Sequence, residues 1–312
     1  MIRGIAYALV ESSFMAASSS RRCGVFNCSV KRLSVSTYPQ PMTREKTAID
    51  SADRPATTRS LTAEFRSLGL AEGTTVIVHS SLSRLGWIAG GARAVVDALL
   101  GAIGNAGTLV MPTHSGDLSD PALWSNPPVP DSWWETIRSE MPPYDPQLTP
   151  TRMMGAIVDQ FRRYPGVQRS DHPQVSFAAL GPNAQTITAN HSLEHPLGEG
   201  SPLARIYDLD GQILLLGVGS ANNTALHLAE YRADYPGKQW TTQGAPVTID
   251  GRRSWVTFED LEGDDSDFDQ IGVAFAGSGA EQRGRVGSGQ GRLMGMRDLV
   301  DFAASWMTAN RI

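Results

Sequence analysis

Thr75–Pro112, TVIVHSSLSRLGWIAGGARAVVDALLGAIGNAGTLVMP, decides the fold. Its opening apolar residues, Val76, Ile77 and Val78, predict a buried strand over Thr75–Leu82. Between Arg93 and Ile103 the apolar residues Val95, Val96, Leu99, Leu100 and Ile103 recur at helical spacing. Gly104–Gly107 stops that helix, and Thr108–Pro112 follows as a second strand. A strand, a helix and a strand in this order require a crossover. Crossovers join parallel neighbours, so the chain reads as α/β with a partly parallel sheet.

Outward from this unit the pattern continues. Thr62–Leu70 reads as a preceding helix, closed by the Gly73 turn. Downstream, Met153–Arg163 is a helix, Gln174–Leu180 a strand, and Thr186–His191 and Pro202–Tyr207 short helices. Gln212–Val218 is the most apolar strand, and a helix starts near Asn223. Ala245–Ile249 and Ser254–Phe258 pair across Asp250–Gly251, a hairpin signal. Asp298–Thr308 closes the body as an amphipathic helix. The seven acids between Glu259 and Asp269 read as a solvated loop.

Two stretches stand outside this alternation. Residues 1–60 read as a non-globular, disordered leader, rich in Ser and Arg, which leaves 61–312 as the working domain. The apolar run Gly4–Val10 is barely long enough for a secretory segment and Glu11 follows it at once, while an organelle transit peptide, Arg- and Ser-rich and poor in acid, is the alternative to a dispensable extension. The leader is therefore expected to be dispensable, with Met42 as an internal start. Gly116–Pro150 is a long loop with a short helix near Trp133–Glu140. It holds Asp117, Asp120, Asp131, Glu135, Glu140 and Asp145 against Arg138 alone, with Trp124, Trp133, Trp134 and Tyr144. Loops of this length in a compact domain commonly carry function.

Charge and cysteine content narrow the classes. Net charge is −5, yet residues 1–41 carry five basic residues against Glu11, which leaves −9 on the remainder. An acidic body argues against a nucleic-acid partner and suits a cationic small molecule. Cys23 and Cys28 are the only cysteines, so the body needs no oxidising compartment and has no thiolate to bind metal. The longest apolar runs, such as Ile213–Leu216, are of strand length, far short of a membrane span. A cytoplasmic enzyme is the expectation.

Three constellations carry chemistry. His79-Ser80-Ser81 ends the first strand and runs through Gly90-Gly91 into a helix N-terminus. Strand ends bind ligands in α/β sheets, and helix N-terminal N–H groups hold anions. No Walker or dinucleotide glycine pattern is present. Thr113-His114-Ser115 ends the second strand, where simple turn chemistry fits equally. In Asn223–Glu230, NTALHLAE, His227 and Glu230 lie three apart and share a helix face. The carboxylate can hold one imidazole nitrogen and leave the other as a base. A surface His–Glu pair would have the same spacing, but the position after the most apolar strand favours a site. His191 and His195 do not form a zincin pattern, and no serine elbow precedes a helix. Neither a metal nor a serine nucleophile is expected.

These motifs together resemble the antibiotic N-acetyltransferase family, whose best-known members are the aminoglycoside 3-N-acetyltransferases. The resemblance rests on VHSSLSRLGWIAGG (Val78–Gly91), GTLVMPTHS (Gly107–Ser115), RSDHPQVSFAALG (Arg169–Gly181), the His195–Gly219 run and NNTALHLAE (Asn222–Glu230). It implies a three-layer α/β/α sandwich around a mixed sheet, acetyl-CoA as co-substrate and no metal. It implies His227 as the base and Glu230 as its partner acid. Ser80, Ser81, Gly90, Gly91, Thr113 and Ser115 would lie along the coenzyme. Asp145, Asp171 and Glu230 would face the aminoglycoside. An acetyltransferase of the same family acting on another amine, and a non-enzymatic CoA-binding protein, are the alternatives.

Overall fold

The structure, a computed structural model, describes residues 44–50 and 52–312. The expected leader and internal start at Met42 fall on residues 1–43, which with residue 51 lie outside the described residues. Helix α1 (Arg44–Asp50) and helix α2 (Thr58–Ser67) come first. Strand β1 (Thr75–Ser80), helix α3 (Gly91–Ile103) and strand β2 (Thr108–Pro112) form the crossover unit that the sequence predicts. The long loop carries α4 (Trp134–Glu140) and leads to α5 (Ala156–Phe161), β3 (Gln168–Arg169) and β4 (Phe177–Leu180). Helices α6 (Ala184–Thr188) and α7 (Pro202–Asp208) precede β5 (Gln212–Leu216) and α8 (Ala225–Arg232). The hairpin β6 (Trp240–Ile249) and β7 (Arg252–Leu261) follows, then α9 (Phe268–Ala276), β8 (Glu281–Val286), β9 (Gly289–Gly295) and α10 (Met296–Asn310).

Among the described residues the main sheet has seven strands in the order β3-β4-β2-β1-β5-β9-β8. β1 pairs in parallel with both β2 and β5, with Val76 opposite Leu109 and Ile77 opposite Ile213. β4 and β9 join this parallel centre antiparallel, so the sheet is mixed. Each central strand is apolar on both faces, and alternate residues enter different cores. Val76, Val78, Leu109, Met111, Leu214 and Leu216 pack with α2, α3 and α5. Ile77, Val110, Ile213 and Leu215 pack with α6 to α10. Helices therefore cover both faces, giving the expected α/β/α layers.

The chain leaves β1 toward β2 through α3 on one face and enters β5 from α6 and α7 on the other. The carboxyl end of β1 is thus a topological switch point, where crossovers diverge and a crevice opens. His79 and Ser80 end that strand.

Three expectations shift. Described elements begin before residue 61, with α1 at Arg44–Asp50 and α2 from Thr58. Thr57 caps α2 by accepting from the Ser60 N–H, Ser60 caps back, and Ala56 bridges to Ile88. Polar Thr-Ser composition hid a capping box there. The Glu259–Asp269 run is not simply a solvated loop: β7 reaches Leu261 and α9 starts at Phe268. Finally, β8 and β9 form a hairpin where the sequence reads as glycine-rich and featureless. β8 is an edge strand whose exposed Arg283 and Arg285 carry no apolar period. Gly291 must lack a side chain, since a Cβ would meet Val286 at 2.8 Å and Leu68 at 2.9 Å.

Candidate active site

Helix α8 starts just past the end of β5, and Asn223 Oδ1 accepts the Ala225 N–H at its first turn. Leu226, Leu228 and Ala229 are buried against the sheet, which sets the rotation of the helix. That rotation leaves the His227 side chain 28% exposed and the Glu230 side chain fully buried. His227 Nδ1 lies 3.0 Å from Glu230 Oε2. The Phe268 ring meets His227 edge-on, 5.0 Å between centroids, and limits its rotation.

Glu230 is held on its other oxygen as well. Oε1 accepts the Asp264 N–H at 2.7 Å and Arg311 Nη1 at 2.7 Å. Burial opposes its charge, but hydrogen bonds from His227, Asp264 and Arg311 outweigh burial and hold the carboxyl below its usual range. It is a carboxylate at neutral pH. A carboxylate on Nδ1 keeps the Nδ1–H tautomer and leaves Nε2 as an acceptor.

His79 stands behind the dyad. Its Nε2 accepts the Thr224 N–H at 3.1 Å and lies 3.0 Å from Thr224 Oγ1. The imidazole proton is therefore on Nδ1, which is buried with no partner. Burial, and secondly the neighbouring His227, lower its pKa to about 3, so His79 is neutral. His114, also lowered to about 3 by burial first, faces the same two histidines.

Two adjoining cavities lie at the carboxyl end of β1. One, about 820 Å³, is lined by Ser80, Ser81, Met154, Gly217, Val218 and Asn222 among others. The second, about 880 Å³, is lined by Trp87, Ile88, Gly91 and Ser288. Leu82, Ser83 and Arg84 belong to both, so the two form one trough with an arginine midway. Neither cavity includes His227. Asn222 lines the first cavity, and the dyad belongs to α8, which follows the Ser220–Asn222 turn in the chain. Ser80 Oγ has no protein partner. Gly90 and Gly91 take φ of 92° and 57°, the left-handed turn that brings the chain into α3.

The expected site residues divide. Ser80, Ser81 and Gly91 line the trough, and Gly90 shapes its turn. Thr113 and Ser115 line neither cavity. Both are buried: Thr113 Oγ1 lies 3.1 Å from Ser176 Oγ and accepts from Arg169 Nε, and Ser115 donates to Pro173 O. Asp145 turns its carboxylate onto its own loop, accepting the Gln147 and Leu148 N–H groups at 2.7 and 2.8 Å. Asp171 is exposed. In the long loop, Arg152 pairs with Asp117 at 2.6 Å and Arg138 with Asp120 at 2.7 Å. Tyr144 is buried, donating to Ser170 O. The loop thus offers less free charge and aromatic surface than its composition implies.

Sequence reasoning missed four contributors. Arg169 ties the end of β2 to the loop, through Thr113 O and Thr149 O, both at 2.6 Å. Gly263 fits against the dyad, where a Cβ would lie 3.3 Å from Glu230 Oε2. Asp264 and Arg311 hold Glu230 from 34 and 81 residues away. No local spacing could signal these. Among the described residues no three His, Cys, Asp or Glu side chains group to hold a metal ion, and no helix is long and apolar enough to cross a membrane.

The chain is thus an α/β/α protein that carries a His–Glu dyad and a trough at the carboxyl end of β1. Residues 77–308 match the family model described as aminoglycoside 3-N-acetyltransferase. The chain is 44% identical over 266 residues to the SPbeta prophage-derived aminoglycoside N(3')-acetyltransferase-like protein YokD of Bacillus subtilis (strain 168), covering 85% of this chain and 97% of that protein. It is 37% identical to aminoglycoside N(3)-acetyltransferase VII of Streptomyces paromomycinus, covering 84% and 95%. The YokD crystal structure superposes with a TM-score of 0.83, covering 85% of this chain and 98% of that one. AAC-IIIb in a binary complex with CoASH (30% identity, TM-score 0.75, 83% and 98% covered) and AAC-VIa bound to sisomicin (31%, 0.74, 83% and 99%) are also similar. The chain belongs to the aminoglycoside 3-N-acetyltransferase family.

Proposed function

We propose that this protein transfers the acetyl group of acetyl-CoA to the 3-amino group of a 2-deoxystreptamine aminoglycoside, with His227 as general base. The observation that carries the mechanism is the dyad: His227 Nδ1 bound to a fully buried Glu230 carboxylate, with the ring still open to solvent. Relatives solved with CoASH and with sisomicin support the two substrates.

The thioester is already activated, so the obstacle is the amine, whose ammonium form lacks a lone pair. The amine reacts in its neutral form, its ammonium proton having passed to solvent, and His227 Nε2 removes a second proton as the amine nitrogen bonds to the thioester carbon. Glu230 stabilises the imidazolium through Nδ1–H. The tetrahedral adduct then collapses with loss of the coenzyme thiolate, and the imidazolium returns the proton. The oxyanion needs a donor, and the Ser80 hydroxyl, buried without a protein partner in a residue that lines the trough, is our candidate for it. Thr113 is set aside for this role because its hydroxyl is bound in the core. The trough suits the extended coenzyme, with Ser81 along its wall, exposed Arg84 for phosphate charge and the Gly90–Gly91 turn beyond. Asp145 and Asp171 remain candidates for the aminoglycoside ammonium groups, and we place the reaction in the cytoplasm.

Acetyl-CoA turnover against a panel of aminoglycosides, with mass spectrometry and NMR of the product, tests this reading. Acetylation at the 3-amino group is expected. Acetylation only of monocationic amines would overturn the acceptor.

A further inference from the structure

Glu230 is clamped from a part of the chain that the family motifs do not include. Arg311, just past α10, reaches back across the second core face. Its Nη1 lies 2.7 Å from Glu230 Oε1. Its Nε and Nη2 donate to the two oxygens of Asp267, each at 2.8 Å, and Nη2 donates to Asp264 O at 2.6 Å. The guanidinium stacks over Tyr235, 4.9 Å from the ring centroid, and its side chain is only 9% exposed. Glu230 thus shares its two oxygens between His227 and Arg311.

We propose that Arg311 is a positioning residue for acetyl transfer: acting through Glu230, it fixes the carboxylate against His227 and sets the pH at which the dyad becomes active. This rests on the His227–Glu230 reading above. The physics is charge balance. A carboxylate facing only an imidazole would favour the imidazolium and keep the base protonated. A second cation on the same carboxylate offsets part of that attraction, leaving more neutral imidazole to accept a proton. The Asp267 carboxylate in turn offsets Arg311. The other groups facing this cluster are Asp264 from the same loop, Tyr231, Tyr235 and Lys238 from α8 and beyond it, Asp260 from β7, and the neutral His79 and His114 at the carboxyl ends of the central strands. Phe268 on α9 adds only an apolar contact.

The test is the pH profile of turnover at saturating acetyl-CoA for the wild-type protein and for R311Q, R311K, D267N and H227A, with circular dichroism on each. R311Q is expected to move the acid limb upward by about one pH unit, because it removes a like charge that disfavours the imidazolium. R311K restores the charge without the planar fork, so its limb returns toward wild type at reduced turnover. D267N removes the counter-charge and is expected to move the limb the opposite way, to lower pH. A folded R311Q with uniformly lower turnover and an unmoved limb would overturn the proposal. So would R311Q and D267N shifting in the same direction. Should R311Q fail to fold, an upward shift in D267N still refutes it. Near-normal turnover in H227A removes the dyad reading and this proposal with it. An inactive H227A beside an unmoved R311Q limb removes this proposal alone.

Discussion

His227 owes its place to one turn of helix and its chemistry to a carboxylate that water does not reach. The i, i+3 spacing brings Nδ1 and Glu230 Oε2 to 3.0 Å, as the sequence suggests. What the spacing could not tell is which residue is buried. Glu230 is at 0% exposure and His227 at 28%, so the carboxylate is sealed from water and the imidazole is the accessible member of the pair. H227A should therefore lower turnover by about 10²–10⁴, the range for a positioned proton acceptor. E230Q keeps the size but removes the charge and should lower turnover less. Because both residues serve one proton transfer, the double variant should lose less than the product of the single effects. Initial rates for all four proteins at saturating acetyl-CoA decide this. Near-normal turnover in a folded H227A protein would end the mechanism.

Elements position these residues through contacts that differ in legibility. The crossover β1–α3–β2 was readable because apolar period alone distinguishes a buried strand from an amphipathic helix. The ten-residue strands of the β6–β7 hairpin were half readable, through the Asp250–Gly251 turn with φ of 49° and 73°. The acidic run after β7 misled, because charge is usually solvated. Here Asp260 accepts from Tyr231, the Asp264 N–H binds Glu230, and Asp267 binds Arg311. The start of the body is another such case. Removing residues 1–41 should leave turnover unchanged. Removing 1–60 should not, because Thr57 caps α2 and Ala56 accepts the Ala89 N–H. Thr57→Ala should lower unfolding free energy by about 1 kcal/mol, the typical value of a lost N-cap. Urea unfolding of the two truncations and the point variant measures each effect. Equal stability of both truncations would contradict the observed cap.

Across the whole molecule, burial of several imidazoles couples stability to acid. His79 and His114 are lowered to about 3 and His191 to about 4, with His172 also well below 6.5, in each case chiefly by burial. Unfolded imidazoles bind protons near pH 6.5, while the folded ones do so only near 3 to 4. Between these values the unfolded state holds more protons, so stability should fall as pH drops below about 6.5 and go on falling to about 3. Urea midpoints across that range test the sign, and a midpoint rising toward acid would refute it. Aminoglycoside affinity should weaken with added salt, since the acidic body acts on a polycation through screened fields. Titration calorimetry at two ionic strengths checks this, and salt-independent affinity would count against it. By itself the sequence determined the α/β class, the parallel centre of the sheet, the strand ends that bear the site and the His227–Glu230 pair, because each is written in neighbours fewer than about forty residues apart. Only the tertiary structure decided that Thr113 and Ser115 belong to the core, that the long loop neutralises part of its own charge, and that Asp264 and Arg311 close on Glu230. Those outcomes depend on which distant segments pack together, and burial changes what a polar side chain does far more than its identity does.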